Sequence, residues 1–171
     1  VIELAGRMVI PGFIEGHGHF LSLGDSLRSL DLAKAKNWDE IVGLVAAEAK
    51  KTPAGQWIVG RGWHQGKWTA VPVPNVQGYP VHDALSAATP EHPVLLVHGT
   101  GHMTFANANA MQLAEISGNS PETKGGEILR DASGKPTGVF RENASRPLHQ
   151  AHAKSLARRT VEQRRAAQVL S

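Results

Sequence analysis

Hydrophobic positions fall into short runs separated by glycine- and proline-rich breaks, and the spacing within each run predicts its structure. Ile2–Leu4 and Met8–Ile10 predict two short strands about the turn Ala5-Gly6-Arg7. After the break at Pro11-Gly12, Phe13–Gly16 predicts a buried strand that delivers His17 and His19 into a loop. Asn37-Trp38-Asp39-Glu40 has the form of a capping box. Ile41, Leu44, Val45 and Ala49 then recur at helical spacing, which predicts an amphipathic helix over 38–51. Gln56–Gly60 and Pro93–His98 predict two further strands, the second an unbroken apolar run. Asn107 is placed to cap a helix running to Ile116. Glu127–Arg130 and Thr137–Arg141 predict a hairpin about the glycine-containing segment 131–135. Helical sequence fills most of 143–171, with helices expected near 38–51, 107–116 and 153–170. Phe13, Ile14, Ile58, Leu95, Leu96 and Val97 are the expected core. Strands alternating with helices make this an α/β chain.

Composition narrows the class. With 41% hydrophobic and 19% charged residues in 171, the chain is globular rather than disordered. No apolar run approaches the roughly 18 residues of a membrane span. The absence of cysteine excludes disulfides, thiolate metal ligands and a cysteine nucleophile. The net charge of +3 is concentrated near the C-terminus, on Lys154, Arg158, Arg159, Arg164 and Arg165, and reads as a solvated helix face. No nucleic-acid-binding module accompanies it. The first residues form no signal peptide and lack an initiator methionine, so the sequence is expected to begin in mid-protein, with the cytoplasm slightly favoured.

His17-Gly18-His19 is the first candidate for chemistry. Nine histidines in 171 residues give about 0.5 such pairs by chance, so context must carry the reading. Residues i and i+2 of a strand share a face, about 6.5–7 Å apart. Two imidazoles can lean from there onto one ion at metal–nitrogen distances near 2.0–2.1 Å. The apolar lead-in Phe13-Ile14 marks a buried strand end, where α/β barrels place their sites.

The string GRMVIPGFIEGHGHF resembles the start of the barrel in the amidohydrolase superfamily, with Glu15 where the pattern usually has Asp. Three further stretches resemble the amidohydrolase 3 branch, which includes N-substituted formamide deformylase-like enzymes. They are Gly62–Trp68 (GWHQGKW), Pro93–Leu113 (PVLLVHGTGHMTFANANAMQL) and the pair Gly125–Asp131 and Gly134–Gly138. The second departs from the pattern at Thr100, Met103 and Ala108.

The resemblance implies an incomplete N-terminal part of a partial metal-dependent hydrolase (β/α)8 barrel, with a remnant of an N-terminal β-sandwich and an inserted α+β segment. Residues 1–11 would end the sandwich and 12–171 would begin the barrel, with the insertion at about 56–150. His17 and His19 would be metal ligands, and the cofactor a divalent metal, expected to be zinc, as one or two ions in the complete protein. Later strands would bring a bridging lysine, two more histidines and a final aspartate, none of which maps onto this sequence. The catalytic residues are therefore expected beyond Ser171. The activity implied is hydrolysis of non-peptide carbon–nitrogen bonds, such as amides or formamides. The partner would be a small amide-like substrate, with neither nucleic acid nor membrane. The alternative is a self-standing non-catalytic binding or structural domain.

His102 is read equally well as a polar group facing substrate or as a histidine bonded to its own loop. Trp63 and Trp68 are read as walls of an apolar pocket or as core. Glu142 is given a surface or capping role, and His64, His82, His92, His98, His149 and His152 no metal role. No H-E-x-x-H, dinucleotide fingerprint, P-loop or serine elbow is present.

Overall fold

The computed structural model describes residues 29–157, together with the stretch 5–8 and residue 12. The predicted strand at Phe13–Gly16, the first strand of the hairpin, all of its second strand but Met8, and helix beyond residue 157 lie outside the described residues. Of that hairpin the turn is described. Ala5 and Gly6 both have positive φ, 51° and 77°, the requirement of a type I′ turn.

The described chain runs β1 (Leu30–Asp31), α1 (Trp38–Ala49), β2 (Ile58–Trp63), β3 (Asn75–Val76), β4 (Tyr79–Pro80), α2 (Asp83–Ala88), β5 (Val94–His98), β6 (Met103–Ala106), α3 (Ala108–Leu113), β7 (Gly126–Arg130), β8 (Pro136–Glu142) and α4 (Arg146–Ala157). Six strands form one mixed sheet in the order β1-β2-β5-β6-β8-β7. β1, β2 and β5 are parallel, and β6, β8 and β7 continue antiparallel. β3 and β4 make a separate two-stranded ribbon. The α/β class holds.

Side-chain alternation along each strand builds two cores, one on each face. Leu96, Phe105, Leu129 and Val139 pack on one face with Trp38, Ile41 and Val45 of α1 and Leu85 of α2. Leu95, Ala106, Ile128 and Phe140 pack on the other with Ala110 and Met111 of α3 and Leu148 of α4. A strand covered on both faces reads as a continuous apolar run, which is why Val94–Val97 shows no alternation in sequence.

α1 begins as expected. Asn37 Oδ1 accepts from Glu40 N–H at 2.8 Å, while the Glu40 carboxylate reaches back to Lys36 N–H at 2.8 Å, one residue before the cap. Ile41 and Val45 are buried, but Leu44 is 40% exposed and Val42 is partly buried in its stead. Val97 is only half-buried.

β2 extends three residues past its predicted end. Gly60 is not a chain break: a Cβ there would meet Leu32 Cδ1 at 2.9 Å, so glycine serves the close approach of the neighbouring segment. The segment 61–93 holds β3, β4 and α2, all too short to show a period. β6 likewise escapes the sequence reading. α3 stops at Leu113, short of the expected Ile116. The final helix starts at Arg146, ahead of the expected residue 153, with Pro147 tolerated in its first turn.

Candidate functional site

β2 and β5 run parallel, and β8, antiparallel to β6, runs in their direction. The C-terminal ends of all three, at Trp63, His98 and Glu142, therefore lie along one edge of the sheet. The turn from β5 into β6 adds Thr100 and His102 to it. This is the edge at which open α/β sheets bind ligands.

His98 is the buried anchor of this edge, 1% exposed. Its Nδ1 accepts from the Thr100 hydroxyl at 2.9 Å and from Thr100 N–H at 3.2 Å. That leaves Nε2–H to donate to Gln65 Oε1 at 3.0 Å. One imidazole thereby ties the turn after β2 to the turn after β5. The ring stands edge-on to Trp63, with centroids 4.6 Å apart, and lies 4.5 Å from the ring of His64. Burial, then the neighbouring His64 and Lys67, push the His98 pKa down from 6.5 to about 4, so the ring stays neutral. Thr100 Oγ1 accepts in turn from His102 N–H at 3.3 Å, which fixes the start of β6.

His102 and Glu142 close the edge. Their side chains meet at 3.0 Å, His102 Nδ1 to Glu142 Oε1, and remain 70% and 57% exposed. The backbones are joined as well, Glu142 N–H donating to His102 O at 2.9 Å. His102 thus faces solvent, and its backbone holds the turn. The sequence points to a surface or capping role for Glu142; its contact with His102 has no sequence signal, because the two lie 40 residues apart and meet only through the pairing of β6 with β8.

Trp63 is fully enclosed, and its indole N–H donates to Leu96 O at 3.0 Å. Trp68 is partly buried beside Trp38 and Trp63, at centroid distances of 6.2 and 6.1 Å. Its indole N–H is buried with no partner among the described residues. The other histidines hold elements together. His92 Nε2 bonds Thr52 O at 3.0 Å, His82 Nδ1 bonds Ser86 Oγ at 3.0 Å, and His149 Nε2 bonds Thr104 Oγ1 at 3.1 Å. His152 lies against Trp57, with centroids 5.3 Å apart. Burial lowers the His149 pKa.

Among the described residues no group of three or more histidines, aspartates or glutamates converges as a metal cage. His17 and His19 lie outside them. Among the described residues no helix is long and apolar enough to cross a membrane.

The sequence pattern of the amidohydrolase family matches residues 1–170. The chain is 33% identical over 161 residues to an N-substituted formamide deformylase of Arthrobacter pascens, covering 93% of this chain and 29% of that protein. It is 32% identical over 143 residues to the putative amidohydrolase YtcJ of Bacillus subtilis (strain 168), covering 84% and 26%. The fold is similar to that of an uncharacterized metal-dependent hydrolase from Pyrococcus furiosus, with a TM-score of 0.56 and 24% identity, covering 90% of this chain and 27% of that one. The chain spans less than a third of the curated relatives it matches.

Proposed function

The chain belongs to the amidohydrolase family, and on that footing we propose that it forms part of a metal-dependent hydrolase of non-peptide carbon–nitrogen bonds, acting on small amides or formamides. The observation that carries this reading is the co-linear match over 93% of the chain to a protein named for formamide deformylation.

In this reading 12–171 begin a (β/α)8 barrel into which about 56–150 are inserted, and 1–11 end a small β-sandwich. His17 and His19 hold the metal, expected to be zinc. Two neutral imidazoles two residues apart, with no thiolate in the chain, suit zinc as a donor pair. A bound divalent ion supplies an activated water and polarises the carbonyl. His102 contacts the substrate from the edge of the sheet, and the partly buried Trp68 backs it with apolar surface, whereas Trp63, fully enclosed, packs in the core beneath and takes the second of its two sequence readings. Structural zinc sites use four protein ligands and catalytic ones usually three. With two ligands assigned, the 171-residue chain alone is proposed to bind zinc weakly and to turn over no amide above background.

Zinc calorimetry on the parent chain, His17→Ala and His19→Ala tests the reading. Weak, chelator-sensitive binding lost in both variants is the expected result, with affinity falling as pH drops through about 6.5. Unchanged binding in both variants would remove its chemical basis.

A further inference from the structure

Glu142 has φ 48° and ψ −128°. That is the conformation of the first central residue of a type II′ turn, a position dominated by glycine. Among the described residues, eight of the twelve positive-φ positions are glycine. Glutamate here carries a backbone cost that glycine would avoid, and such strain persists where the side chain has a task.

The geometry assigns that task. Glu142 Oε1 stands 3.0 Å from His102 Nδ1. An ionised carboxylate only accepts, so Nδ1 must carry the proton. In the neutral ring Nε2 is then a lone-pair acceptor. Nε2 has no partner among the described residues, and the ring is 70% exposed. The hydroxyl of Thr100 and the 2.9 Å bond from Glu142 N–H to His102 O fix the backbone beneath it.

We propose that Glu142 is a positioning residue that locks His102 in the Nδ1–H tautomer, so that Nε2 accepts a hydrogen bond from the N–H of a secondary amide substrate. The inference rests on the amide-hydrolase reading and narrows its substrate class to amides that retain an N–H. A carboxylate that orients an imidazole and sets which nitrogen is free is a general device of histidine sites.

The test uses the full chain at pH 8, with 15N NMR of the imidazole nitrogens, which reads both the protonation and the tautomer of His102. The parent should show His102 as Nδ1–H. Glu142→Gly should shift it toward the Nε2–H form that dominates for free imidazole side chains in water, while raising the melting midpoint by about 2–4 °C through relief of the backbone. N-methylformamide should move the Nε2 signal saturably in the parent but not in Glu142→Gly, and N,N-dimethylformamide, which has no N–H, should move neither. An Nε2–H tautomer in the parent, equal responses to the two formamides, or a lower midpoint in Glu142→Gly would each overturn the proposal. These readouts use no metal. Failure of the zinc titration would therefore sink the hydrolase reading while leaving an amide-binding dyad, and failure here would leave the metal reading intact.

Discussion

Asn107 bonds the first residue of β5: its Oδ1 accepts from Val94 N–H at 2.9 Å while also capping α3 by accepting from Ala110 N–H at 3.0 Å. Its amide group donates to Thr89 Oγ1 at 3.0 Å and His92 O at 2.8 Å. One buried side chain therefore joins the start of a central strand, the loop before it and the helix after β6.

Asn107→Ala should lower unfolding stability by about 3 kcal/mol, because it strands buried donors and acceptors as well as removing a cap. Asn107→Asp should cost at least as much, since a carboxylate can replace Oδ1 but cannot donate to His92 O. Urea midpoints of the two variants check this. A loss under about 1 kcal/mol in both would mean water replaces the side chain at no net cost.

The cap was legible in sequence and the node was not. Asn107 stood ahead of a helical run, which marks it as an N-cap from local pattern alone. Its bonds to Val94 and Thr89 depend on tertiary approach, which no period encodes. The same division holds across the fold. Val94–Val97 and the hairpin of β7 and β8 were readable because runs and turn residues are local signals. β6, α2 and the β3–β4 ribbon were not, being too short for a period to emerge. Gly60 misled the reading, since a glycine that admits a neighbouring segment looks the same as one that ends a strand. At the candidate site, His102 was marked by the resembling string, but its partner Glu142 and its support through Thr100 and His98 arise from strand pairing.

His98 should make the fold acid-sensitive. Its pKa is about 4 when folded and near 6.5 when unfolded, so between those values the unfolded chain binds more protons. Stability therefore rises with pH across that window. The contribution is complete above about 6.5 and is lost as pH falls toward 4. His98 itself is buried, but Gly99, Thr100 and His102 beside it are exposed, so its size is roughly 1–2 kcal/mol rather than the full value of the shift. His149, lowered by burial, acts in the same direction and remains in the variant. His98→Phe, although less stable overall, should lose less between pH 7.5 and pH 4.5 than the parent does. Parallel pH profiles in denaturant titrations would show that His98 is not the sensitive group.

Trp63 and Trp68 should respond differently to the same substitution. Trp63→Phe removes the N–H that satisfies Leu96 O and opens space around a ring that is 0% exposed. Both effects destabilise, by roughly 2–3 kcal/mol together. Trp68→Phe also loses apolar area, worth about 1 kcal/mol at 25 cal/mol per Å². It removes, however, an indole N–H that is buried without a partner among the described residues, a group costing about 1–3 kcal/mol to leave unpaired. The two terms oppose, and Trp68→Phe should leave the urea midpoint nearly unchanged. An equal loss in the two variants would mean that a residue outside 29–157 pairs the Trp68 N–H, and Trp68 would then be a structural donor rather than part of a pocket wall.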